Sequence, residues 1–325
     1  MLTAFICEKS RLHAVSLPDD TTLAAAAWID LRNPTADEAL RASLATGFVT
    51  PTQASVSEIE SSSRLATRDG AVYLTMPMIN RTEEGPRGVA AGFVLSPDRL
   101  LTVRFAPSTI FDTFIAHVTT EDTSSSTSSH ILVGLLEAIV DRQADALEQV
   151  GHELDTISHR IFAMGVKQAG GRKREDATLR ITLGQIGRLG DLISHIRDTL
   201  VGAGRIGPYL ESAATWLPAD MRPRLRTLQS DIASLSDFDT HLNDKLQFLL
   251  DATLGFISIA QNNVMKVMTI ASVVGIPPVL VVGIYGMNFK NMPEYNWAFG
   301  YQYGLGMILL TALIPLLVFR WRKWI

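Results

Sequence analysis

The residues of this sequence best suited to chemistry are oxygen donors that carry no charge. Gly286-Met287-Asn288 offers the Asn288 side-chain carbonyl and the backbone carbonyls of Gly286 and Asn288. Gly286 also lets the backbone come close to a bound ion. Such oxygens suit a small hard cation that prefers octahedral oxygen coordination and gives up its water reluctantly. Being neutral, they do not trap a divalent ion that must leave again. Glu294 follows in the same short segment, and reads either as a charge that concentrates cations near the tripeptide or as a solvated loop carboxylate.

Other chemistries find little support. The net charge is −4 and the basic residues are dispersed, so no nucleic-acid surface is expected. Cys7 is the one cysteine, which excludes an internal disulfide and a cysteine-built metal site. No Gly-x-x-x-x-Gly-Lys-[Ser/Thr] phosphate loop occurs. Gly202-Ala-Gly204-Arg-Ile-Gly207 matches the dinucleotide fingerprint by letter but follows a helical stripe, and reads as a helix-ending glycine cluster. His152-Glu153 opens like a zinc-protease helix, yet Thr156 stands where the second histidine is needed. The remaining histidines are scattered. No catalytic set and no cofactor are expected.

The elements that hold the tripeptide are two long uncharged runs. Val267 to Phe289 and Tyr295 to Phe319 contain no charged residue, with Lys290 and Glu294 the only charges between them. Each meets the ~20 residues an α-helix needs to cross a bilayer core. Within the first, Asn262, Met265, Thr269, Ser272, Ile276, Val279 and Gly283 recur at steps of three and four. This stripe lines an axis in a symmetric ring of helices, or else packs one helix on another through small residues. Pro277-Pro278 removes two N–H donors and frees the carbonyls near Val273 and Val274. That face should meet protein or water rather than lipid, and a kink satisfied by neighbouring helices serves equally.

Upstream, residues 1–122 read as an α/β domain. Ala27 to Leu31 reads as a strand, Thr35 with Glu38 as a capping box, and Ala71 to Ile79, Val89 to Leu95 and Leu100 to Arg104 as a meander. The Ser/Thr run Thr123 to Ser129 marks a boundary. Leu132, Leu136, Ile139, Gln143, Leu147, Val150, Leu154, Ile157 and Ile161 then form one helical stripe. Leu179, Leu183, Ile186, Leu189, Ile193, Ile196 and Leu200 form a second, with Ala169 to Arg174 as the loop of an antiparallel hairpin over 123–220. Pro223 opens a third helix with no stop signal before Tyr285, a reach of roughly 95 Å at ~1.5 Å per residue. It divides into a stalk, 221–266, and a first span, 267–287; an external loop 288–298, a second span 299–319 and a basic tail 320–325 complete the chain.

The run Tyr285-Gly286-Met287-Asn288-Phe289, followed by Met292-Pro293-Glu294, Trp297, Gly300-Tyr301 and Arg322-Lys323-Trp324-Ile325, resembles the CorA family of divalent-cation transporters. The close match covers roughly Asn262 to Ile325, with a looser one over the whole chain. One departure is Tyr295, where the family's Met-Pro-Glu motif continues with leucine.

The resemblance implies a CorA-like, funnel-shaped homopentamer with an α+β cytosolic domain, long coiled-coil-like helices and two C-terminal transmembrane helices. It implies Mg²⁺ as substrate, with Co²⁺ and Ni²⁺ also carried, selected at Gly286, Met287 and Asn288 and driven by membrane potential. It further implies Mg²⁺ bound between cytosolic domains as a feedback ligand, for which Asp231 and Asp237 are candidates against the plainer reading of Asp231, Asp237, Asp239 and Asp244 as a solvated acidic face. A ZntB-type zinc transporter coupled to protons, and a membrane-tethered sensor without transport, are the alternatives. The N-terminus lacks signal-peptide character, and Arg320, Arg322 and Lys323 beyond the second span obey the positive-inside bias. Both termini are therefore expected in the cytosol, with the protein in the cell inner membrane and its partners lipid, divalent cations and further copies of itself.

Overall fold

The structure, a computed structural model, describes residues 1–8, 11–58, 60, 64–82, 85–120, 127–166, 172–287, 292–322 and 324. The chain divides into two compact units, one of residues 1–163 and 181–250, the other of 164–180 and 251–325.

The first unit is built on a seven-stranded sheet. Its strands are β1 (Leu2–Glu8), β2 (Arg11–Ser16), β3 (Trp28–Arg32), β4 (Leu65–Arg68), β5 (Ala71–Thr82), β6 (Gly85–Leu95) and β7 (Leu100–Arg104). They lie in the order β2-β1-β3-β7-β6-β5-β4. The β3–β7 pair is parallel and the other pairs are antiparallel. The strand and meander expectations hold. Thr35 caps α2 (Ala36–Thr46) in a reciprocal capping box with Glu38, so two orphan donors of the helix start are satisfied at once. Helix α1 (Asp20–Ala25) and the short α3 (Gln53–Val56) complete the connections.

The parallel pair carries the polar heart of this unit. Both strands are buried along nearly their whole length, so polar groups there must be answered from within. Trp28 stacks on Phe5 at 4.2 Å between centroids and donates from Nε1 to Thr102 Oγ1 at 3.0 Å. Thr102 in turn donates to Asp30 Oδ1 at 2.7 Å. Asp30 Oδ2 accepts from Arg104 Nε at 3.2 Å and Nη2 at 2.9 Å. Arg104 then reaches Asp112 on α4 (Thr109–Thr120). Register places Asp30 directly beside Thr102, so the pairing of β3 with β7 and the polar chain specify one another.

Three long helices follow: α5 (Ser128–Val166), α6 (Arg172–Ala213) and α7 (Met221–Tyr285). Every residue of the first stripe, Leu132 through Ile161 and including Gln143, is buried. The second stripe is buried too, except Leu183, which is half-buried while neighbouring Thr182 is buried completely. Most of the boundary run lies outside the described residues, and α5 begins at Ser128. Of the expected hairpin loop, 169–171 lie outside the described residues, whereas Arg172 to Arg174 already belong to α6. The third helix starts at Met221, two residues earlier than the proline signal suggested, and runs 65 residues.

One expectation is overturned. The Gly202 to Gly207 cluster does not end a helix; α6 continues through it to Ala213. A Cβ on Gly202 would stand 2.7 Å from Pro77 Cδ, one on Gly204 3.3 Å from Ile232 Cγ2, and one on Gly207 2.6 Å from Gln229 Nε2. The glycines let α6 approach β5 on one side and α7 on the other. Close packing, not a turn, is the reason for their small size.

Charged groups close the helical layer. Asp239 of α7, its side chain 1% exposed, accepts from Arg197 Nε of α6 at 2.7 Å, while its Oδ1 has no partner. Burial raises its pKa above the usual carboxylate value, and Arg197 opposes the shift. Arg224 pairs with Glu137, and Lys245 with Asp155 at 2.7 Å.

Two outcomes are expected. Asp30→Ala leaves Arg104 buried without its main counter-charge and should lower stability by about 3–5 kcal/mol, read as lost hydrogen-exchange protection at the β3 and β7 amides. Gly202→Ala should destabilise by about 1–3 kcal/mol through overpacking. Gly187→Ala, where a Cβ meets open space, should instead stabilise the helix by about 0.5–1 kcal/mol. Thermal unfolding of the two variants in parallel reads the opposite signs.

Candidate functional site

The second unit holds the C-terminal part of α7 and helix α8 (Gly300–Trp321), joined through a 3₁₀ turn, Pro293–Asn296. Both helices contain segments long and apolar enough to cross a membrane, of mean hydropathy 2.3 and 1.9, with none of either segment buried. An apolar helix surface that the protein leaves uncovered calls for an apolar solvent or a further protein surface.

Burial along the first apolar segment is one-sided. From Val267 to Tyr285 the half-buried residues are Ile270, Val274, Pro277, Pro278, Val281 and Tyr285. At about 100° per residue these fall on one face. On α8 the half-buried set includes Gly304, Ile308, Thr311, Pro315 and Phe319, again at steps of three and four. Asn262, Met265, Thr269, Ser272, Ile276, Val279 and Gly283 are all exposed and lie on the opposite side of α7. Ile276 is 64% and Val279 70% exposed. Thr269 turns its hydroxyl back to the Met265 carbonyl at 2.8 Å. The proline pair sits inside the helix, on the half-buried face.

At the end of α7 the backbone turns. Gly286 N–H donates to the Val282 carbonyl at 2.9 Å and Met287 N–H to Ile284 at 3.2 Å, closing the helix. Met287 is 47% exposed. Asn288 and Lys290 lie outside the described residues. The chain is described again from Met292, and Pro293 starts the 3₁₀ turn as its first residue, a position that suits a residue without an N–H. Glu294 follows and is half-buried; its carbonyl accepts from Trp297 N–H at 3.3 Å. The same carbonyl stands where a Cβ on Gly300 would go, which fixes glycine as the first residue of α8. Trp297 meets Tyr303 edge-on at 5.7 Å.

This folding brings Gly286 and Glu294, far from adjacent in sequence, to one cavity of ≈ 590 Å³ between the ends of α7 and α8. Val282, Tyr285, Trp297, Tyr301, Leu305 and Ile308 are among its walls. Sequence reading identified the two polar members but not the aromatic wall. The signal available was the spacing Tyr301, Leu305, Ile308, a single face of the second helix, with Trp297 just before it.

The regulatory candidates fare differently. Asp231 and Asp237 are both exposed on α7. Asp231 lies close enough to Asp141 to help raise that group's pKa, after burial and Glu137 and ahead of Asp145. No set of three His, Cys, Asp or Glu side chains placed to hold a metal occurs among the described residues. Asp239, an acidic neighbour read as part of the solvated face, is instead buried against Arg197.

The family described as CorA-like Mg²⁺ transporter protein matches residues 24–322. The magnesium transport protein CorA of Salmonella typhimurium is 30% identical over 326 residues, spanning 100% of both chains. Among solved structures, the complete CorA magnesium transporter from Methanocaldococcus jannaschii covers 100% of this chain and 99% of its own, with a TM-score of 0.75 at 19% identity. The ZntB cytoplasmic domain from Vibrio parahaemolyticus covers 80% of this chain and 96% of its own, with a TM-score of 0.52 at 13% identity. The last two likenesses concern the fold. By the family match and the full-length relationship together, this chain belongs to the CorA-like Mg²⁺ transporter family.

Proposed function

We propose that the protein carries Mg²⁺ into the cytosol through a channel-like path in a homo-oligomer, a pentamer by its CorA resemblance, in the cell inner membrane. The observation that carries this reading is the full-length relationship to the magnesium transport protein CorA. Gly286, Met287 and Asn288 form the filter at the outer mouth and receive the hydrated ion on neutral oxygens. Glu294 adds negative charge beside it. Co²⁺ and Ni²⁺ follow the same path, since a filter that binds the water shell discriminates weakly among divalent ions of similar hydration. Both termini lie in the cytosol.

The exposed stripe from Asn262 to Gly283 lines the path. Its support is geometric: the stripe is exposed along its length, and the half-buried residues of the span lie on the opposite face. A ring of such helices then places small and polar groups on the axis and apolar ones toward lipid. No energy source beyond the membrane potential is required. A divalent ion gains about 4.6 kcal/mol across 100 mV, at ~2.3 kcal/mol per charge. Cytosolic Mg²⁺ closes the path by bridging carboxylates between subunits, Asp231 and Asp237 being candidates, that otherwise repel. Burial first, and then the charges of Glu137 and Asp231, raise the pKa of Asp141, so acidic groups lie near one another there. Likeness to the zinc-transporter domain is limited to fold over the soluble part, which leaves magnesium the better-supported ion.

The test is potential-driven Mg²⁺ uptake into liposomes carrying the purified protein. Asn288→Ala should lower flux at least ten-fold while the oligomer stays intact on a sizing column; unchanged flux would remove the filter assignment. Zn²⁺ uptake that follows a proton gradient would move the protein to the zinc branch, and absence of any divalent flux would favour a tethered sensor. For the path itself, Thr269→Cys should be blocked by a charged, water-borne thiol reagent within minutes, whereas Val274→Cys, on the half-buried face, should resist it.

A further inference from the structure

We propose that the cavity between the outer ends of α7 and α8 binds an organic ammonium ion. Among its described lining residues Glu294 is the only charged one, and the rest of the wall is aromatic or aliphatic or has no side chain. A bare or hydrated magnesium ion finds little there, because it seeks several oxygens. A weakly hydrated organic cation finds a carboxylate for its charge, Tyr285, Trp297 and Tyr301 for attraction to ring faces, and Val282, Leu305 and Ile308 for its carbon substituents. The volume, ≈ 590 Å³, lies in the range of small-molecule sites, about 300–1,000 Å³.

Two further observations favour an occupant. Trp297 is 54% and Tyr301 78% exposed, so large aromatic surfaces stand uncovered beside a carboxylate. Gly304 faces the cavity, and a Cβ there would meet nothing within 4 Å. The wall of α8 is thus recessed where a ligand would lie. The cavity shares Gly286 and Glu294 with the proposed ion entrance but lies on the opposite side of the first span from the stripe assigned to the path. Its ligand therefore sits beside the entrance, and what separates it from the transported ion is the lack of further oxygen donors among the described lining. The inference stands whichever divalent ion is carried.

One chemistry has two sources: the ammonium headgroup of phosphatidylethanolamine from the bilayer, or a free organic cation from outside. The test uses the full-length protein in nanodiscs of phosphatidylglycerol alone. In one arm tetraethylammonium is titrated by calorimetry; in the other a small fraction of phosphatidylethanolamine is added and retained lipid is counted by native mass spectrometry. Saturable binding of about one ligand per chain in either arm is expected, and the arm that saturates names the source. Glu294→Gln should weaken it at least five-fold by removing the charge, and Gly304→Val at least five-fold by filling the recess. Gly306→Val, also in open space but outside the cavity, should leave it unchanged. Failure of both arms to saturate, or equal binding by all three variants, overturns the proposal. Binding is read without flux, so a transport-inactive protein that still binds would separate this inference from the proposed function.

Discussion

Hydrocarbon supplies no hydrogen bonds, so a segment that crosses it must satisfy its own backbone. The C-terminal unit is arranged around that constraint. Helix α7 keeps its ladder except at Pro277 and Pro278, and those two residues lie on its half-buried face. What remains exposed on α7 is mostly apolar, Val267, Met268, Val273, Leu280 and Ile284 among it, with Asn262, Thr269, Ser272 and Gly283 among the polar and small members. The same constraint places the irregular backbone, Gly286 and Met287 and the 3₁₀ turn, beyond the end of the helix rather than within it.

A related economy governs the soluble unit. The parallel β3–β7 pair is buried on both faces, and its polar groups form a single chain from Trp28 through Thr102 and Asp30 to Arg104 and Asp112. Each member answers the next, so the chain resists any slip of register. The helices are joined to the sheet by a different device, the missing side chains of Gly202, Gly204 and Gly207. Polar pairing fixes the sheet, and close approach fixes the helical layer on it.

Between the ends of the two apolar helices these themes meet. Gly300 is needed because the Glu294 carbonyl occupies its side-chain position, and this contact turns the chain back into α8. Glu294 and Gly286 are brought to one cavity as a consequence, with aromatic rings that the fold leaves bare.

Much of this was legible in the sequence. Helical stripes on α5 and α6, the capping box at Thr35, the meander strands and the two apolar spans are all local or periodic signals, and a period fixes a face without knowledge of its partner. The Gly-Met-Asn tripeptide is a local signal of the same kind, its residues being adjacent, and its Asn288 lies outside the described residues. Tertiary structure decided the rest. Gly202 to Gly207 read as a helix end because glycine by itself signals freedom, and only the neighbours Pro77, Ile232 and Gln229 turn that freedom into a requirement for contact. Asp239 read as solvated because an acidic residue on a helix usually is, and only the position of Arg197, on another helix, makes its burial tolerable. The pairing of β3 with β7 and the aromatic cavity likewise join residues distant along the chain. A sequence encodes which groups a segment can present, whereas which groups meet depends on how segments pack, a property no single segment carries.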